Sequence, residues 1–449
     1  MSFNSSITSR GFTDEFGDPD LIYYNADIIN RKSTNPQSFT SDPPAKFSEI
    51  RNTPIINNPR NFEFSIIRCD INGSGRKLPL MIPNIVIDGV NTDPDKLNYS
   101  IGLNMSVNYK SKETSNPANT AVYFRENLTF VPENLFAPRP PSNSVIKTQD
   151  LSTDYYYLST YSKFLDIINN SISSLLTKAI NELNDNVLIS SIQDPLVKID
   201  DSVKSLPPKM VYNPETQLFS FFFPSSLVPN SNNYPLQLSD SPIQATSPAQ
   251  VYPVVQIWMS ENLYDLFASF QVNNQGDTIV GEPYQILYYN NFTNSIEING
   301  CACAPTPTAG VKYTIITQEY PTTGSLWSPI ESIVFCSTLL PIFNEYVSNP
   351  VIFIDGNTSE APYSTTSSNF APLITDISVA TDNAQDYRNF ISYAPTAEYR
   401  MSSINGNQPI NAIDIQIFWK SRIDQQIYPL RLSNYSSINL KILFRRRGL

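Results

Sequence analysis

The chain has 449 residues, a formal net charge of −11, 16% charged residues and 41% apolar ones. That length can bury a sizeable core in one large domain or two to three ordinary ones, while the low charge content and 14 glycines exclude charge-rich disorder, coiled coil and collagen. With no histidine anywhere, a His-dependent nucleophilic triad and a His-ligated metal are both excluded, and the acidic balance argues against general nucleic-acid binding.

Residues 1–50 read as an extended N-terminal arm. Its segments FTDEFGDPD and KSTNPQSFTSDPP are polar and broken by Pro and Gly, and MSFNSSITSRGF carries no apolar core of a secretory leader. Phe12, Phe16, Leu21, Ile22, Tyr23 and Tyr24 suit an arm that orders against a neighbour.

Residues 51–225 read as a first β-sandwich region. NFEFSIIRCDI alternates, with Phe62, Phe64, Ile66 and Arg68 on one side and Glu63, Ser65, Ile67 and Cys69 on the other. LPLMIPNIVI at 78–87 is an edge or bent strand, because Pro79 and Pro83 cannot donate to a ladder. Two further strands follow at 99–109 and 121–132.

From Tyr161, apolar Phe164, Leu165, Ile168, Ile172, Leu175, Leu176 and Ala179 recur at helical spacing. They predict a packed helix over about 160–181, capped by Ser159 or Thr160. MVYNPETQLFSFFFP at 210–224 is a hairpin turning at Asn213, Pro214 and Glu215.

A Pro/Ser/Asn-rich loop at 226–250 precedes a second β-rich region, 251–449. SENLYDLFASF reads as a short helix capped by Ser260, and strands are predicted at 282–291, 311–320, 328–342 and 372–380. The end of the chain is the clearest: Ile413, Ile415, Ile417 and Trp419 share one face, as do Ile438, Leu440, Ile442 and Phe444 of the C-terminal core strand. The fold class is therefore all-β: a β-sandwich or barrel with one or two short helices.

Catalytic, cofactor and metal sites are not expected. The carboxylate pairs Asp376 with Asp382 and Glu261 with Asp265 carry no glycosidase signature. GSGRK at 73–77 is too short for a phosphate loop, and Asp14, Asp18 and Asp20 lack the twelve-residue pattern of a calcium loop. Cys336 lies inside a strand as packing, and Cys301-x-Cys303 lacks the second pair that zinc needs.

What stands out is surface. Tyr155, Tyr156, Tyr157, Tyr288 and Tyr289 cannot all face a core from an extended chain, and Tyr is favoured at interfaces. Arg445, Arg446 and Arg447 form the one charge cluster, a solvated end or a contact for an acidic neighbour or packaged nucleic acid. No stretch of about 18 apolar residues exists to span a membrane.

Three C-terminal segments, SYAPTAEYRMSS, INAIDIQIFWKSR and INLKILFRRR, resemble structural proteins of polinton-like viruses, adintoviruses and virophages. The helix YYYLSTYSKFLDIINNSI and the segment MSENLYDLFASF are similar to the same family. The resemblance implies a penton or minor capsid subunit of an icosahedral shell, built on a jelly-roll sandwich with insertions. It implies self-assembly, with a pentamer favoured over a trimer, contact with neighbouring capsid proteins, residence in the virion, and no catalytic residues. A double jelly-roll major capsid protein, with two rolls in series, and a spike or host-attachment protein are the alternatives.

Overall fold

Alternating apolar residues set the strands, and the pairing of those strands sorts the chain into two units. A computed structural model describes residues 7–13, 17–31, 43–72, 95–110, 117–131, 158, 160–187, 199, 201–224, 227–228, 254–275, 284–287, 295–299, 312–322, 327–328, 330–342, 352–354, 358–360, 373–378, 390–393, 400–422, 427–432 and 436–448. Unit 1 comprises Met1–Leu80 with Ser328–Leu449, and unit 2 is Met81–Trp327. Unit 2 is thus an insertion within unit 1, unlike the serial division at 226–250 expected from the sequence. The cause is pairing across the insertion, because strands from both ends of the chain share sheets.

Unit 1 has two main antiparallel sheets. Sheet I runs β1 (Ile7–Thr13), β2 (Pro19–Ile29), β22 (Ser437–Arg446), β4 (Phe62–Asn72) and β18 (Phe390–Tyr393), with β19 (Ser402–Ser403) also on β4. Sheet II runs β17 (Leu373–Ser378), β14 (Ile330–Cys336), β20 (Ala412–Ser421) and β21 (Ile427–Pro429), with β3 (Lys46–Ile50) also on β20. A small hairpin joins β15 (Ile352–Ile354) and β16 (Thr358–Glu360). If β2, β3, β4, β14, β17, β18, β20 and β22 are counted one to eight, sheet I reads one, eight, three, six and sheet II reads two, seven, four, five.

The segment expected to be an arm contains a central strand. β2 pairs with β22 from Leu21 opposite Arg445 to Ile29 opposite Ser437, and Ile22, Tyr24 and Ala26 are buried. Their period of two was visible, but polar and Pro-rich flanks masked it. Tyr24 meets the Phe47 ring edge-on at 6.0 Å and donates its hydroxyl to Glu49 of β3, linking the two sheets.

β4 departs from the simple alternation. Lys441 lies opposite Arg68 and Ile442 opposite Ile66, so Ile67 is the extra residue of a bulge. The bulge changes phase: Phe62, Phe64 and Ile66 are buried before it, Cys69 and Ile71 after it, and Arg68 turns to solvent. Placing Arg68 on the apolar face was therefore incorrect. On β22, Ile438, Leu440, Ile442 and Phe444 are all buried as the spacing predicted, and Phe444 stacks on Phe64 at 5.8 Å.

Unit 2 has two further antiparallel sheets. Sheet III runs β10 (Val272–Gln275), β11 (Tyr284–Leu287), β9 (Val254–Ser260), β5 (Lys96–Lys110) and β6 (Pro117–Thr129). Sheet IV runs β12 (Ser295–Asn299), β13 (Lys312–Thr317), β8 (Leu218–Pro224) and β7 (Lys209–Asn213). The expected hairpin is present between β7 and β8. The Asn213 side chain accepts the Glu215 amide at 2.9 Å, and Gln217 takes a left-handed φ of 59°.

The helix α1 (Tyr161–Glu182) packs on β5, β6 and β7. Its predicted stripe is buried, and Ile167, Ser171 and Ile180 are buried beside it. Thr160 stands at the cap position without a side-chain cap hydrogen bond. Asn169, read as solvent-facing, pairs with both backbone groups of Met210, accepting at 2.7 Å and donating at 3.0 Å, and so seals the edge of β7.

The core around α1 is aromatic. Phe219 stacks on Trp327 at 5.4 Å and meets Phe267 edge-on at 4.9 Å, while Phe164 meets Trp327 at 5.3 Å. The short helix α2 (Glu261–Asp265) follows β9, and the Ser260 hydroxyl accepts the Ser100 amide rather than capping it. Gly102 is required because a Cβ there would lie 2.7 Å from the Tyr123 hydroxyl, whose ring covers it beside Trp258. The segment 78–87 and the loop 226–250 lie outside the described residues, apart from 227–228.

Three outcomes are expected, the first two read by thermal unfolding and the third by solubility. Deleting Ile67 removes the bulge and leaves one unbroken alternation, so stability should stay near native. Phe64→Ala, which leaves the bulge in place, should instead cost about 3–5 kcal/mol, the loss of a fully buried aromatic side chain. A chain beginning at Asn30 loses β2 and should be insoluble or molten.

Candidate functional site

The polar chemistry of unit 1 gathers at the end of the sandwich where β4 begins and β14 ends. There the connections following β3, β14 and β19 meet through isolated bridges, Ile56 with Ile410 and Ile342 with Ile404. Two buried carboxylates hold these turns, one for each sheet.

Asp414, on β20, is 1% exposed. One oxygen accepts Ser337 Oγ at 2.6 Å and the Leu339 amide at 2.8 Å, and the other accepts Thr338 Oγ1 at 2.7 Å. The Thr338 amide reaches both, at 3.0 and 3.1 Å. Burial pushes the carboxyl up, but the hydrogen bonds from Ser337, Thr338 and Leu339 outweigh it and hold its pKa below the ordinary aspartate value.

Asp18, just before β2, is 2% exposed. It accepts the Asn57 amide on both oxygens at 2.9 Å, the Asn57 side chain at 2.9 Å and the Asn58 amide at 2.8 Å. Asp18 is thus a backbone staple. Both of its oxygens are taken up by donors of the connection between β3 and β4.

The three arginines close the same end from within. Arg445 donates Nε to Glu63 at 2.9 Å, with Nη2 on the same oxygen. Arg446 donates to the Asp18 carbonyl at 2.7 Å and pairs with Asp20 at 3.3 Å. Arg447 donates Nη2 to the Ile404 carbonyl at 2.9 Å and its amide to the Asn61 carbonyl at 2.8 Å. Read from the sequence as a solvated end or an interface candidate, these three charges also have partners inside unit 1. The missed signal was the continuation of β22 through Arg446, which sets Arg445 opposite Glu63.

Tyr155, Tyr156, Tyr157, Tyr288 and Tyr289 lie outside the described residues, as do Asp14, Cys301, Cys303 and Asp382. Asp376 pairs with Arg400 at 2.9 Å. Cys336 is buried as expected, and so is Cys69. Burial pushes both thiols up to about 12, with Asp70 adding to the effect at Cys69, so they stay protonated at neutral pH. Among the described residues no group of three His, Cys, Asp or Glu could hold a metal ion, and no helix is long and apolar enough to cross a membrane. These polar groups satisfy backbone and fix turns, an arrangement suited to a rigid surface.

The family model described as "Sputnik minor capsid protein V18/19" matches residues 22–446. The chain belongs to this minor capsid protein family. Protein V18 of the Sputnik virophage is 31% identical over 184 residues, which cover 41% of this chain and 93% of V18. Structural protein V19 of the same virophage is 24% identical over 196 residues, covering 43% of this chain and 83% of V19.

A chain of the cryo-EM structure of the Sputnik virophage superposes with a TM-score of 0.65 at 22% identity, covering 96% of this chain and 99% of that one. The mavirus penton protein superposes with a TM-score of 0.54 at 16% identity, covering 95% and 99%. The chain is therefore a structural component of a virion shell, as the resemblance implied.

Asp414 sets the acid limit of this end of the unit. A carboxyl whose folded pKa is lowered contributes stability above its unfolded value, about 3.9, and that contribution is lost as pH falls through the folded value. Asp414→Asn should cost about 2–4 kcal/mol at pH 7, because buried donors lose their charged acceptor. The difference from the native chain should shrink below about pH 4, which denaturant melts across pH would read. Removing residues 445–449 should also lower the melting temperature, since it leaves Glu63 and the Asn61 and Ile404 carbonyls without their arginine partners.

Proposed function

We propose that the chain is a penton-type minor capsid subunit, which assembles as a pentamer at the five-fold vertices of an icosahedral shell. Unit 1 is the jelly roll of this reading. Its strand order, one, eight, three, six against two, seven, four, five, is the double Greek key of that fold, with unit 2 inserted between the third and fourth strands.

The observation that carries the proposal is the difference between the units. Counting β5 to β13 as one to nine, unit 2 runs six, seven, five, one, two and eight, nine, four, three. Among the described residues its neighbours are mostly sequential hairpin partners, an order unlike that of the roll. A double jelly-roll major capsid protein needs two rolls in series, whereas one roll with an inserted unit suits a penton. The likeness to the mavirus penton protein over nearly the whole chain supports the same reading. The arginine end is occupied within unit 1, so we assign it no contact with packaged nucleic acid.

Native mass spectrometry of the purified full chain tests this. Pentamers are expected, and negative-stain images should show five-fold rings. Trimers would overturn the proposal in favour of a major capsid role.

A further inference from the structure

Sheet I is wider than the sandwich needs. β2 already reaches β3 of sheet II, since Tyr24 meets Phe47 and donates to Glu49, and β22 holds β2 from Leu21 to Ile29. β1 is added outside this frame. It pairs with β2, Ile7 opposite Tyr24, Thr8 opposite Tyr23, Ser9 opposite Ile22 and Arg10 opposite Leu21. Its far edge has no partner strand among the described residues.

The junction of the two strands lets them part. The Asp18 carboxylate is fixed on Asn57 and Asn58, its carbonyl accepts Arg446, and Asp20 pairs with Arg446. The start of β2 is therefore pinned without help from β1. Immediately before it, Gly17 takes a left-handed φ of 80°, with nothing within 4 Å of where a Cβ would lie. A glycine in open space beside a pinned residue is a hinge, because it can redirect the chain at little steric cost. Between Arg10 and Thr13 the ladder also slips register, so β1 is fastened to β2 over a short regular stretch.

We infer that β1 is an exchange strand: in the assembled ring it lies on the β2 edge of the next copy, and each β2 receives β1 from the copy before. The inference rests on the proposed ring. The occupant follows from the ladder itself. The β1–β2 register shows that this strand fits this edge, and every copy of the chain carries both, so an exchanged pair keeps the same register. Closed and exchanged forms then differ chiefly in the hinge and in the cost of association, which other ring contacts lower by holding copies together. Exchange also has the required symmetry. Donor strand and acceptor edge are different surfaces, so copies join head to tail and close as a ring, whereas two β1 edges pairing with each other would stop at a dimer. Four residues separate Thr13 from Asp18. Extended, that connection spans about 17 Å, which confines the exchange to copies in direct contact.

The test is cysteine pairing in the full chain. Thr8→Cys and Tyr23→Cys are placed in separate chains, mixed before assembly and oxidised as rings, which native mass spectrometry identifies. Without reductant, two-chain species joined between positions 8 and 23 are expected, as peptide mapping would show. A chain with both substitutions should give covalent multimers when oxidised in the ring, and a single chain closed on itself when oxidised as a dilute monomer. Arg10→Cys with Leu21→Cys repeats the reading, should loss of the Tyr23 ring under Lys441 impair folding. Rings in which mixed chains stay unlinked, while the double variant closes only on itself, would overturn the exchange and leave the ring standing. No bond in either arrangement would overturn it too, because the ladder would then form in neither. A native chain that stays monomeric throughout would overturn the ring itself, and the inference with it.

Discussion

Everything in unit 1 depends on the place of β22. The last strand of the chain lies between β2, near the start, and β4, just before the insertion. Four of its side chains fill the centre of the sandwich core, and its arginines fasten the loops beyond. Neither neighbour can be satisfied without it, so both chain ends are bound into one cooperative sheet. The insertion depends on this arrangement too, because the strands before and after it, β4 and β14, belong to different sheets of the same core.

A second theme is the use of side-chain amides and carboxylates as surrogate backbone. Asn169 pairs with Met210, Asn184 with Ile199, Gln318 with Phe219, Asp18 with Asn57 and Asn58, and Asp414 with the turn after β14. Each closes an edge or a turn that the ladders leave open, where an unpaired group would be costly. Low charge and abundant Asn thus coexist with well-satisfied loops. The same groups, already engaged with backbone, hold the turns of unit 1 rigid.

The strands with strict alternation, such as Ile438–Phe444 and Ile413–Trp419, were legible because period two is a local property. So was α1, whose stripe needs only its own residues. What was not legible was long-range. Nothing near Leu21 announces that its partner is Arg445, so a real strand read as an arm. The bulge at Ile67 hides in a run where Ile66 and Ile67 are equally apolar, and only the β22 ladder decides between them. The role of Arg445 to Arg447 was missed for a related reason: charge at a chain end looks solvated until its partner Glu63, far away in sequence, is seen beside it. Family kinship was readable from short motifs, but the discontinuous unit 1 was not, since composition does not mark where a chain returns to a sheet it has left.

The insertion also has a mechanical meaning. β4 is flanked by β22 on one side and by β18 and β19 on the other, and β14 lies between β17 and β20, so neither is an edge strand. The two strands meet the insertion at the same end of the sandwich, Asn72 of β4 opposite Ser437 and Ile330 of β14 opposite Ser421. A pull along either strand must shear the hydrogen-bond ladders on both of its sides together, where a pull on an edge strand would peel its bonds one at a time. Because the two strands belong to different sheets of unit 1, tension on the pair is shared between both sheets.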